Sequence, residues 1–235
     1  MNNQPPLKFV ETSNSVIDVH SIFNTIQGEG PFSGKASVFV RLHGCNLQCP
    51  GCDTEYTASK TTMTVEDLFK LVRQKAFSNG VPIHLVVITG GEPFRQSTTI
   101  ELANMLSRYG FIVQIETNGT LPCTGLDESV HVVISPKTGT IARSLREHKL
   151  TYYKYVIDHT SMASDGLPIL ALAHSAHPHV ARPGKNRPIY IQPMDPGESE
   201  KGDEHYVMNV KACVKSALEH GYTLQLQIHK IVGVE

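Results

Sequence analysis

The chain has no long apolar run. Nothing in its 235 residues approaches the roughly 20 consecutive apolar side chains that a membrane-spanning helix needs, so no membrane partner is expected. The opening Met-Asn-Asn-Gln-Pro-Pro carries no apolar signal-peptide core. An excess of one charge is also lacking. The 21 basic and 22 acidic side chains leave a formal net charge of −1, which provides no polyanion-binding surface and argues against a tight nucleic-acid partner. Cysteine is scarce. Five residues, three of them crowded into one short stretch, do not make a disulfide framework, and a reducing cytoplasm is the expected setting. The length fits one domain with a sizeable core. A loose, polar arm over residues 1–17 is expected to precede a single domain over residues 18–235.

Apolar patterning alternates between strand and helix. Val38–Leu42 reads as a short strand. A helix follows from Thr64 to about Asn79, with Thr64 as its cap, Asp67 three residues on, and Gly80 at its end. His84–Thr89 is almost wholly apolar, as expected where both faces of a sheet are covered. The pattern then repeats: helix Thr98–Tyr109, strand Phe111–Glu116, strand Val130–Lys137, helix Ile141–His148 and strand Tyr152–Ile157. Next come helix Leu167–Ala173, strand Pro188–Gln192, a helix over about 203–220, and strand Leu224–Ile228. Strands alternating with helices argue for parallel α/β architecture, with functional residues at strand carboxyl ends. The chain is slightly short of the roughly 250 residues that eight closed units need.

Cys45, Cys49 and Cys52 stand in the spacing C-x3-C-x2-C directly after the first short strand. Three thiolates this close can reach one metal centre. Either a zinc ion takes a fourth ligand, for which His43 is the nearest choice, or an iron–sulfur cubane keeps one iron open for an outside ligand. Upstream, Ile26-Gln27-Gly28-Glu29-Gly30 forms a glycine-rich turn that sets an amide and a carboxylate side by side and lets backbone approach a ligand. Arg41 lies four residues before the triplet, and its planar guanidinium matches a carboxylate bidentately. Thr54 offers a hard oxygen suited to Mg2+, or caps a turn. Thr89-Gly90-Gly91-Glu92-Pro93 is a second glycine-rich turn, one βα unit further on. Glu116 ends a strand and faces either a ligand or backbone amides. The histidine run 174–179 contains Pro178 and no acidic residue, and reads as an exposed loop without metal.

Taken together, these motifs resemble the radical S-adenosylmethionine (SAM) enzymes. The Q-G-E-G turn with Arg41 and the Cys52-Asp53-Thr54 run are similar to the 7-carboxy-7-deazaguanine synthase subgroup, and the likeness extends from residue 20 to 235. It implies an incomplete (β/α) barrel with about six core parallel strands. The implied reaction converts 6-carboxy-5,6,7,8-tetrahydropterin to 7-carboxy-7-deazaguanine and ammonia by a SAM-derived radical ring contraction in deazapurine or queuosine biosynthesis. A [4Fe-4S] cluster on Cys45, Cys49 and Cys52, SAM, and Mg2+ at Thr54 are the implied cofactors. Substrate contacts would come from Ile26, Gln27, Gly28, Glu29, Arg41 and Thr89. SAM would lie against Gly51, Cys52, Asp53, Gly91, Glu116, Ser135, Pro136, Lys137, Gln192, Pro193, Met194 and Asp195. The resemblance further implies an electron donor such as flavodoxin or ferredoxin, and a homodimer. Where some members use a C-terminal proline carboxylate, this chain carries Glu235, so no tail contact is assigned. A glycyl-radical activator and a non-catalytic metal module remain the alternative functions.

Overall fold

The computed structural model describes residues 3–11, 15–78, 80–172, 179–184, 186–195 and 202–234. Its frame is one nine-stranded sheet. The strands are β1 (Val16–Ile26), β2 (Ala36–Leu42), β3 (Thr61–Thr64), β4 (Leu85–Gly90), β5 (Ile112–Thr117), β6 (His131–Ile134), β7 (Thr151–Ile157), β8 (Ile189–Pro193) and β9 (Thr223–Leu224). They lie in the order β3-β1-β2-β4-β5-β6-β7-β8-β9. Strands β2 and β4 to β9 are mutually parallel, while β1 and β3 pair antiparallel at one edge. The sheet does not close, so this is an incomplete barrel: six parallel strands plus the two-residue β9.

Helices α1 (Val65–Ala76), α2 (Thr98–Arg108), α3 (Arg143–Glu147) and α4 (Gly202–His220) follow strands of the sheet, and α5 (Ile228–Val232) ends the described chain. In α1 the residues Val65, Leu68, Phe69, Val72 and Ala76 are buried, a stripe at helical spacing that packs on the sheet. The Thr64 hydroxyl accepts the Asp67 N–H at 3.1 Å and donates to the Asp67 carboxylate at 2.8 Å. Strand β7 shows the sheet's two faces most clearly. Tyr153, Tyr155 and Ile157 are at most 1% exposed within the hydrophobic core, while Lys154 and Val156, on the opposite face, line the central cavity.

Four expectations need correction. Of the expected loose arm, the described residues 3–11 are tied to the rest of the chain. Gln4 donates to the Thr54 carbonyl and accepts from the Tyr56 N–H, Leu7 N–H reaches the Cys45 carbonyl, and Val10 N–H reaches that of Arg95. The arm thus lies along the cysteine loop, and β1 begins at Val16. Residues 167–172 form no helix, because cross-chain bonds claim their backbone: Ala163 N–H to Leu167 O and Ile169 N–H to Ser161 O, with Pro168 between them. The last strand stops at Leu224, since Gln225 and Gln227 turn their amides onto the Q-G-E-G turn, and residues 228–232 coil into α5. Helix α1 ends at Ala76, and Asn79 lies outside the described residues, as do Glu235 and most of the 174–179 histidine run.

Thr64→Ala is expected to cost about 1 kcal/mol in a urea titration, the usual worth of such a cap, whereas Thr64→Ser should stay close to the parent. Equal losses for the two variants would show that the Thr64 hydroxyl does not act as a cap.

Candidate active site

The parallel strands deliver their carboxyl ends to one cavity of about 250 Å3. The cysteine loop forms one wall. It is positioned by backbone contact so close that only glycine serves. A Cβ on Gly91 would fall 2.2 Å from the Gly44 carbonyl oxygen, and one on Gly90, at φ +133°, would fall 2.2 Å from that of Leu42. Gly91 N–H donates to the Leu42 carbonyl and Glu92 N–H to that of Gly44. Thus the second glycine-rich turn is first of all the seat of the cysteine loop. Glu92, fully buried, accepts the N–H groups of Phe94 and Asn118 and the Thr117 hydroxyl at 2.7–3.1 Å. Burial pushes its pKa up to about 7.

Cys45, Cys49 and Cys52 are free thiols. Burial is the main cause raising all three pKa values, and it takes Cys45 up to about 12, with Glu92 and the two neighbouring thiols adding to the rise. A cationic metal centre would relieve that repulsion. Among the described residues, the three sulfurs are not all drawn within 4.8 Å of one another, whereas thiolates sharing one tetrahedral zinc lie about 3.8 Å apart. His43 turns its Nδ1 to the Ser59 carbonyl at 3.1 Å. Three spread cysteines fit a cluster with one open iron better than a single zinc ion.

Opposite the cysteines lies a buried ionic network. Lys154 Nζ contacts Glu29 Oε2 directly and Glu116 Oε2 at 3.1 Å. Gln27 and Gln114 donate to the other Glu116 oxygen, at 2.9 and 3.1 Å. Gln192 and Gln227 donate to Glu29 at 2.8 and 3.2 Å. Burial alone would raise the Glu29 pKa, but the Lys154 charge and its hydrogen bonds hold it well below the ordinary carboxylate range. Glu116 is raised, by burial and by the Glu29 charge, against the pull of Lys154. Lys154 itself is raised, since attraction to both carboxylates outweighs its burial. Lys137 donates to the Ser135 hydroxyl, and burial and Lys154 lower its pKa.

Most residues singled out from the sequence line this cavity: Gln27, Glu29, Arg41, Thr89, Gly51, Cys52, Asp53, Thr54, Gly91, Glu116, Ser135, Lys137, Gln192, Pro193, Met194 and Asp195. Ile26, Gly28, Pro136, Cys45 and Cys49 are not on its wall. Ile26 precedes Gln27 in extended backbone and so faces the other way. Gly28 makes room for His229, whose Nδ1 would sit 2.6 Å from an added Cβ. Arg41 lies 5.3 Å over the Phe23 ring, and its Nε is buried with no partner.

Sequence reasoning missed Lys154, Asn118, Gln227, His229 and Lys230, all on the wall. A lysine inside the apolar, aromatic strand Thr151–Ile157 is itself a signal, because buried lysines are rare unless paired. Lys230 bridges Asp53 at 3.1 Å and Asp195 at 2.9 Å, a pairing across 177 and 35 residues that no local pattern carries.

Residues 39–158 match the Radical SAM superfamily. The chain is 36% identical over 239 residues to 7-carboxy-7-deazaguanine synthase of Rickettsia prowazekii, covering 99% of this chain and 95% of that one. It is 37% identical over 223 residues to the synthase of Rhodospirillum rubrum, covering 92% of each. A crystal structure of QueE from Escherichia coli superposes with a TM-score of 0.60 at 21% identity, covering 90% of this chain and 94% of that one, which bears on the fold.

Removing the Lys154 charge should be costly. Lys154→Met leaves two carboxylates buried together, a loss of about 3–5 kcal/mol. In the parent, the depressed Glu29 pKa contributes stability that is complete above the unfolded carboxylate value near 4.5 and declines progressively as pH falls from there towards the lower folded value. In the variant, both carboxylates can be protonated at low pH, which removes the penalty of burying them unpaired. The variant's deficit in urea titrations should therefore be larger at about pH 8 than at about pH 4. A deficit independent of pH would mean that the network is not ionised as described.

Proposed function

Because the chain belongs to the radical SAM superfamily and, within it, to the 7-carboxy-7-deazaguanine synthase family, we propose that it contracts the ring of 6-carboxy-5,6,7,8-tetrahydropterin to give 7-carboxy-7-deazaguanine and ammonia. The observation that carries this reading is Arg41. Its guanidinium stacks on Phe23 at the cavity wall with an orphaned Nε, and such a fork is complementary to a carboxylate.

The cluster on Cys45, Cys49 and Cys52, with SAM on its open iron, supplies when bound the one-electron chemistry that starts the reaction. The chain's own work is positioning. Arg41 holds the substrate carboxylate. Gln27, Glu29 and Thr89 present donors and acceptors to the heterocycle's edge, with Ile26 and Gly28 setting the turn that carries Gln27. Lys154 keeps Glu29 ionised, so that carboxylate can accept ring N–H groups. Gly51, Asp53, Gly91, Ser135, Lys137, Gln192, Pro193, Met194 and Asp195 surround the space assigned to SAM, with Glu116 at its inner end and Pro136 shaping the segment behind it. Gln192 Oε1 is buried and unpartnered, an acceptor available to an amino group. Thr54 would give Mg2+ one hydroxyl oxygen, and substrate oxygens would complete its shell. Enclosure by residues 225–230 limits water at the reacting atoms. A flavodoxin- or ferredoxin-type electron donor and a homodimeric assembly belong to the same reading.

The test is anaerobic turnover of reconstituted protein with dithionite, SAM, Mg2+ and the carboxy-tetrahydropterin, followed by mass spectrometry. Product should accumulate without matching SAM consumption. Cys49→Ala should abolish cluster colour and turnover. Arg41→Met should lose about 10- to 100-fold in kcat/KM with cluster content unchanged. 5′-Deoxyadenosine formed without deazaguanine would discard the substrate and favour an activator of a protein partner.

A further inference from the structure

A second cluster of metal-ligating side chains lies outside the cavity, where β7 runs out against α4. Asp158 and His159 directly follow the last residue of β7, and His205 and Asn209 stand one helical turn apart on α4. Asp158, His159 and His205 each bring one ring nitrogen or carboxylate oxygen to within 4.8 Å of the others. His205 Nε2 is 3.4 Å from Asp158 Oδ1, and the two imidazole rings are 4.5 Å apart. The side chains are 25–31% exposed, so an ion can reach them from solvent. We propose that Asp158, His159 and His205 form a binding site for a divalent transition metal of the zinc class, with water as the remaining ligand.

The surroundings prepare these groups for a metal. Asn209 is fully buried and spends its amide N–H on the Met194 carbonyl at 2.9 Å, which fixes its Oδ1 as the atom turned to His159. That oxygen lies 2.8 Å from the His159 backbone N–H and 2.9 Å from its Nδ1. An amide oxygen only accepts, so His159 carries its proton on Nδ1, which also lies 3.9 Å from Asp158 Oδ1, and the lone pair it offers a metal is on Nε2. A carbonyl that takes the non-ligating N–H is the usual support of a metal-bound histidine. Asp158 uses Oδ1 to accept the N–H and hydroxyl of Thr160, which holds the carboxylate in place. Two imidazoles and one carboxylate suit zinc, cobalt, nickel or copper rather than Mg2+ or Ca2+, which prefer all-oxygen shells. Nitrogen and oxygen ligands on one tetrahedral zinc lie about 3.4 Å apart, the separation His205 Nε2 and Asp158 Oδ1 already have, so His159 is the side chain that has to turn in. Through Asn209 and the Met194 carbonyl, a bound ion would brace one rim of the cavity.

The test uses the cluster-loaded protein, so that the cysteines are already occupied. Equilibrium dialysis against Zn2+, with zinc and iron measured by atomic spectrometry, should show one zinc per chain gained and no iron lost. His205→Ala should weaken zinc binding by about tenfold or more, with iron content and thermal midpoint without zinc unchanged. Asp158→Asn, which keeps the acceptor for Thr160 but loses the anionic ligand, should also weaken it. Zinc uptake matched by iron loss would place the ion at the cysteines and overturn the proposal. So would no uptake, or equal uptake by the parent and both variants.

Discussion

A single buried ammonium group holds the centre of this molecule together. Lys154 sits on the cavity face of β7 and draws in Glu29 from the turn after β1 and Glu116 from the end of β5. These carboxylates come from segments 125 and 38 residues away, so the interaction ties both halves of the sheet across its hollow. Without the lysine, neither carboxylate could stay ionised at this depth, because burial of an unpaired charge costs more than protonating it. The glutamines that complete the network, Gln27, Gln114, Gln192 and Gln227, are oriented by the same charges. The cavity's hydrogen-bonding pattern is therefore a consequence of one charge placement, with each side chain directed by the next.

Much of the fold was legible because its causes are local. Period-two and period-3.6 patterns, a threonine cap and glycine stops are properties of a few neighbouring residues. They located β2, α1, β4, α2, β5, β7 and α4 to within a few positions. The cysteine triplet and the glycine-rich turns were legible for the same reason. Where a segment's conformation is set from far away, the pattern misled. Leu224-Gln-Leu-Gln-Ile228 alternates like a strand, yet its glutamines are recruited by Gly30 and Glu29 and the strand ends after Leu224. Residues 1–17 look like a loose polar arm, yet Gln4 and Leu7 bond to backbone groups of Cys45, Thr54 and Tyr56. Lys154 and Lys230 were overlooked because their partners are distant in sequence. Glu92, read as part of a ligand-binding turn, is mainly a buried bracket joining that turn to Thr117 and Asn118.

The glycines of the second turn show how closely architecture and site are joined. Gly90 and Gly91 let two backbones approach to a distance that excludes any side chain, and this contact seats the cysteine loop over the sheet. The loop is clamped from the other side by Gln4 and Leu7. Backbone contacts on both sides thus position the loop that carries the triplet. Its thiols, spread and desolvated, are kept apart and poised for a centre larger than a single ion.

The open edge of the barrel is sealed by side chains rather than by a backbone ladder. Gln225 grips both the N–H and the carbonyl of Gly30, Gln227 reaches Glu29, and exposed Lys230 spans Asp53 and Asp195. A seam of this kind can part and re-form without breaking a strand pairing. Its outermost clasp is an ion pair in contact with solvent, the kind of pair that contributes less as salt is added. The tightness with which the chamber shuts is thus set partly by the ionic strength of the surroundings, whereas the buried charges behind the seam are shielded from it.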